Sequence, residues 1–219
     1  MKTRCFALAA FVVLFFGAAS ADTTPGIQLP ADGDEYSTLV ARAAAHDVTV
    51  DFRALRLAHL KSRAHQRGGD EFESESTLRK EMYEASRKIE TATMVRQKAE
   101  ALLSIDYTNM EAHKFLRQAC VILHDDACAD LHHFVEFGLL TSITKTGDGK
   151  SCAKGWEAFQ VPEEYFVLAM LGMKVTGQAL IHEGGHSCDA MDATDEQGTA
   201  QRFYFNIDVM MEAEDAMFR

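Results

Sequence analysis

The chain has 219 residues, 47% apolar and 25% charged, the mix of a folded protein long enough to bury a real core. Acidic residues outnumber basic ones 33 to 22, a net charge of −11, which argues against nucleic acid or anionic lipid as partners because both need clustered Lys and Arg. Collagen-like, coiled-coil and disordered chains are excluded by composition alone.

Residues 1–21 read as a secretory signal peptide. Lys2 and Arg4 precede an apolar run from Cys5 to Phe16, and Ala19-Ser20-Ala21 supplies small residues for cleavage before Asp22. The run is too short for a comfortable membrane span, and no later segment approaches that length, so no integral membrane segment is expected after cleavage. The expected location is periplasmic or secreted. Losing Lys2 and Arg4 with the leader takes the net charge from −11 to −13. Four cysteines remain, Cys120, Cys128, Cys152 and Cys188, and an even number in an oxidising compartment suggests two disulfides. Three pairings are possible. Cys120 and Cys128 flank a helix corner and Cys152 and Cys188 share the strand-rich part, so Cys120–Cys128 and Cys152–Cys188 are expected, with four buried free thiols as the alternative.

Residues 22–34 hold two of the three prolines and read as a linker. From Glu35, Tyr36, Leu39, Val40 and Ala43 share one helical face, and Asp51 can cap a second helix carrying Phe52, Leu55 and Leu57. Residues 62–76, with Gly68-Gly69, read as a loop. Residues 77–143 read as stacked antiparallel helices. Met94, Val95, Leu102 and Leu103 share a face, Thr108 and Glu111 have capping-box spacing, and Asp125-Asp126 breaks one helix and caps the next. Residues 99–143 resemble a degenerate tetratricopeptide unit, although no second copy repeats at 34 residues.

The pattern changes at Thr146-Gly147-Asp148-Gly149. Trp156 to Val161 alternates like a strand, and Pro162 opens a short helix that Gly172 ends. Strands are expected over Val175–Glu183 and His186–Ala193, bent at Gly184-Gly185, with a last strand through Phe203, Phe205 and Ile207. The predicted fold is α+β: a helical part at 35–145, a small antiparallel sheet with one short helix at 146–210, and a tail at 211–219.

DFRALRLA at Asp51, NMEAH ending at His113, LHHFVEFGLLTSITKTGDGKS, VPEEYFVL and FYFNI together resemble the domain-of-unknown-function family 4919. The resemblance covers about Glu35 to Asp208 and implies an exported bacterial protein with a helical, repeat-like part followed by a small sheet. It implies no activity. The chain departs from the family pattern at Cys152, Cys188 and the polar insertion around Gly68-Gly69.

Several motifs could carry chemistry. HEGGH at 182–186 fits H-E-x-x-H, in which His182 and His186 would bind zinc, Glu183 would activate a water, and Asp192 would be a third ligand. That requires a helix, and Gly184-Gly185 costs one roughly 2 kcal/mol relative to alanines. A two-residue hairpin instead pairs Glu183 with His186 and sends His182 to the opposite face. Gly147–Ser151 suggests a phosphate loop but has Thr144 where a Walker glycine belongs, and helix and strand in the reverse order. Asp148, Glu164 and Tyr165 could line a crevice between helices and sheet, with Glu163 and Glu164 otherwise serving as first-turn acids. His113 and His132 could face each other across one helical hairpin, as part of a site or as a structural pair. The functional expectation is a non-enzymatic binding module for a protein or peptide of the cell envelope, needing no cofactor. The alternatives are a zinc hydrolase and an accessory structural protein without a dedicated site.

Overall fold

The computed structural model describes residues 26–62 and 72–217. The expected leader and cleavage site, and residues 63–71 with Gly68-Gly69, lie outside them.

Two short helices open the described chain. Asp34 caps α1 (Glu35–Ala44) by accepting from the Ser37 amide at 2.8 Å, and Asp51 caps α2 (Phe52–Leu60) through the Ala54 amide at 3.0 Å. Four longer helices follow, each packed on the next: α3 (Phe72–Ser86), α4 (Ala92–Ile105), α5 (Met110–Ile122) and α6 (Asp126–Thr144). The first of these starts inside the stretch expected as a loop. Asp125 caps α6 as expected. At α5 the cap is Asn109, which accepts from the Ala112 amide at 2.9 Å, while Thr108 bonds Asp106 instead. Met94 is exposed; the buried stripe of α4 runs through Val95, Ala99, Leu102 and Leu103, one position round the helix from it.

The sheet half has strand order β1-β4-β3-β2, from β1 (Trp156–Glu157), β2 (Lys174–Glu183), β3 (His186–Thr194) and β4 (Ala200–Asn206). Strands β2, β3 and β4 are antiparallel, whereas β1 is two residues long and parallel to β4, so the sheet is mixed. Helix α7 (Val161–Met170) opens at Pro162 and stops at Gly172, whose φ is +72°. The expected tail forms α8 (Asp208–Met217), with Met210 buried. The hairpin falls where the glycine pair places it. Gly184 and Gly185 have φ of +63° and +85°, as a type I′ turn demands, and Glu183 pairs with His186.

Two hydrophobic clusters hold the molecule. One is confined to α3–α6, built on Met82, Val95, Ala99, Leu102, Leu103 and Leu116. The other joins Val40, Leu55, Val135 and Leu139 of the helices to Trp156, Phe166, Met191 and Phe205 of the sheet half. A single core therefore spans the change in secondary structure near residue 145. The cysteines lie at disulfide distance in the expected pairs, with Cα separations of 5.9 Å for Cys120 and Cys128 and 5.7 Å for Cys152 and Cys188. No helix among the described residues is long and apolar enough to cross a membrane.

Candidate functional site

The first helix turns of DFRALRLA are committed residue by residue. Asp51 is the cap, and Arg53 forms a two-pronged pair with Glu157 at 2.6 Å. One turn further on, Arg56 faces inward with only 1% of its surface exposed. Its Nε and Nη2 donate to the Glu163 carboxylate at 2.6 and 2.7 Å, Nη2 also reaches the Glu157 carbonyl, and Nη1 reaches Ser142 Oγ at 3.3 Å. The guanidinium lies 4.5 Å from the centre of the Phe159 ring. Glu163 accepts in addition from the Phe159 amide at 2.8 Å. A buried charge pair survives only with this degree of hydrogen bonding, and here it ties α2 and α6 to β1 and α7.

Beside this tie a groove of about 730 Å³ opens between the start of α2 and the outer face of α6. Its wall is aromatic. Phe52 and Phe134 meet edge to face at 5.2 Å, and His133 lies over Phe137 at 4.5 Å. Gly138 makes the wall possible, because a Cβ there would run into the Phe52 ring. Phe137 is 37% exposed at the groove surface. Ser142 lies at the back and contacts Arg56, while Lys145 and Thr146 close the end nearest the sheet.

The residues singled out from sequence go to separate places. His113 and His132 do meet, with Nδ1 atoms 2.8 Å apart, both buried. His113 Nε2 lies 2.8 Å from the Tyr107 carbonyl, which can only accept, so Nε2 carries the hydrogen. His113 Nδ1 then accepts, and His132 Nδ1 donates to it. Burial, and then the neighbouring His132, push His113 down to about 3; burial and Arg96 push His132 down to about 4. Both rings are neutral at pH 7 and form an interhelical hydrogen bond.

Glu164 and Tyr165 sit between α7 and the sheet, while Asp148 turns back on its own loop to accept from the Lys150 amide. Glu164 is fully buried beside Asp189 of β3, and the Gln178 amide of β2 donates to both carboxyls, at 3.3 and 2.8 Å. Tyr165 donates to Gln178 Oε1 at 3.0 Å. Burial first, and Asp189 second, push the Glu164 carboxyl up to about 9.

Three of the four residues named for zinc have side chains engaged with different neighbours: His182 meets Ser187, His186 Nδ1 donates to Asp208 at 2.7 Å, and Asp192 pairs with Arg202. Glu183 stands opposite His186 in the hairpin register. Among the described residues, Cys120, Asp125 and Cys128 are the three potential donors gathered within 4.8 Å of one another. There the sulfurs lie at disulfide distance and Asp125 caps α6 and holds Arg96. The GDGKS stretch is a turn in which Gly149, at φ +67°, leaves room for the Trp156 ring.

Sequence reading missed Arg56, Glu163 as its partner, and the groove. An arginine four residues after Phe52, on the face that carries Leu55, was the one available signal.

The chain belongs to the family described as Domain of unknown function (DUF4919), whose model matches residues 32–216. No curated protein and no solved structure matches the chain.

Proposed function

With membership of the DUF4919 family as the starting point, we propose that this chain is an exported, non-enzymatic binding module that takes a short extended peptide of an envelope protein into the α2–α6 groove. One observation carries the reading: Phe52, Phe134 and Phe137 line one open groove, with Phe52 seated against Gly138 and Phe137 partly exposed. Exposed aromatic faces of this kind serve as anchors for apolar side chains of a partner. The groove is open to solvent along its length, which suits a peptide better than a small molecule that needs enclosure. Lys145 supplies a positive charge at one end of a chain with a net charge of −11, so the favoured peptide pairs an apolar anchor with an acidic residue. The leader-like N-terminus and the two cysteine pairs at disulfide distance support export.

Selection from a displayed library of short peptides tests this. Sequences with an apolar residue beside Asp or Glu should be enriched on the wild-type protein. Phe137→Asp should weaken the selected peptides by at least tenfold, about 1.4 kcal/mol, while leaving the fold intact. Lys145→Glu should weaken acidic peptides alone. Peptides that bind Phe137→Asp as well as wild type would overturn the reading.

A further inference from the structure

We propose that Glu164 and Asp189 share a single proton at neutral pH, and that this proton fastens α7 to the sheet as a clasp that alkali releases. The geometry is a pair of carboxyls in one buried place. Glu164 is 0% exposed on the first turn of α7, and Asp189 is 6% exposed on the central strand β3, in register between Leu180 of β2 and Phe205 of β4. Their oxygens are close enough for one Gln178 amide nitrogen to donate to both. Glu164 Oε1 is buried and has no hydrogen-bond partner.

The groups that face Glu164 give its charge nothing to pair with. From β3 comes Asp189, and from its own helix Glu163, both acidic; the Glu163 charge is already held by Arg56. From β2 comes the neutral Gln178, which also receives the Tyr165 hydroxyl. On the neighbouring α5, Lys114 places its ammonium over the Phe166 ring at 5.9 Å. Two ionised carboxylates here would bury two uncompensated negative charges side by side. One carboxylic acid donating to its neighbour removes one of the two and uses the buried oxygens.

Neighbouring residues thus fasten α7 in two directions: Glu163 to α2 through Arg56, and Glu164 to β3 through the proton. The first fastening is an ion pair with an arginine, and the second depends on a proton that alkali can remove. Glu164 is raised from 4.5 to about 9, so the folded chain holds a proton that the unfolded chain gives up. The contribution of this proton to stability is fully present below pH about 4.5 and is lost as pH rises through about 9. Tyrosine and lysine titrate in the unfolded chain near pH 10, above this window.

Melting curves between pH 5 and 9.5, with infrared spectra, test the clasp. Wild type should lose melting temperature as pH rises, while Glu164→Gln should be flatter and melt higher than wild type at pH 9. At pH 7 the wild-type spectrum should carry a protonated-carboxyl band that Glu164→Gln lacks and that disappears on titration past pH 9. Amide exchange at Val167 and Leu168 should accelerate over the same range beyond its intrinsic pH dependence. If Glu164→Gln fails to fold, Asp189→Asn and the wild-type band still decide the question. A wild-type chain with no such band overturns the proposal. If, in addition, calcium or magnesium raises its melting temperature but not that of Glu164→Gln, the site holds a divalent cation.

Discussion

Each half of the molecule buries two titratable side chains in contact, and the two pairs carry opposite chemistry. In the helical half His113 and His132 are bases, and burial strips them of their protons. In the sheet half Glu164 and Asp189 are acids, and burial makes one of them keep a proton. Both are cases of charge refused by a dry environment: the histidine pair ends up neutral, and the carboxyl pair gives up one of its two charges. The lesson lies in the sign. Neutral histidines resist folding in acid, the neutral glutamic acid resists it in alkali, and together they confine maximal stability to the region between.

The buried Arg56–Glu163 ion pair ties the two halves together, and breaking it should have the largest effect. Arg56→Met strands the Glu163 carboxylate, which is 4% exposed, and should cost about 3–5 kcal/mol in denaturant unfolding. Adding Glu163→Leu should recover most of that loss, because removing both partners leaves no orphan charge. If the double variant is no better than the single one, the pair does more than satisfy itself.

The disulfides sharpen the same comparison. The sheet-half pair closes a loop of 36 residues and the helical pair one of 8. Loop-closure entropy makes the first worth ~4 kcal/mol and the second ~2.5 kcal/mol. Replacing Cys152 and Cys188 by serine should therefore lower stability more than replacing Cys120 and Cys128.

The smallest of these stability effects separates the two pH limbs. Both histidines have folded values below the ordinary 6.5, so their contribution is present above that pH and lost as pH falls toward about 4 and 3. His132→Gln should remove much of this acid limb, on the order of 1–3 kcal/mol, without touching the alkaline one. A variant that keeps the acid limb would move its origin to other groups.

The elements that local chemistry dictates were legible in the sequence. Gly184-Gly185 between two alternating stretches can form a hairpin turn at little cost and a helix only at a penalty, and the hairpin is there. The caps at Asp51 and Asp125 reflect the same kind of local hydrogen bond, and Asn109 displaced Thr108 in a contest between adjacent residues. The site was not legible, because its contacts cross the chain. Arg56 and Glu163 are 107 positions apart, and each has an ordinary local excuse, a charged residue on an amphipathic helix and an acid in a first helical turn. The groove depends on Gly138 receiving Phe52 from a different helix, which no periodicity within α6 reveals. His113 and His132 were legible as a pair because they lie on consecutive helices of one hairpin.

Chemical-shift mapping with a selected acidic, apolar peptide is the measurement that most directly tests the groove as the binding surface. The account predicts that saturation shifts the ring resonances of Phe52, Phe134 and Phe137 and the amide of Gly138, and leaves the hairpin from Ile181 to Ser187 unmoved. Shifts centred on the hairpin, or on the exposed Val121–Leu123 corner, with the four groove residues silent, would contradict it.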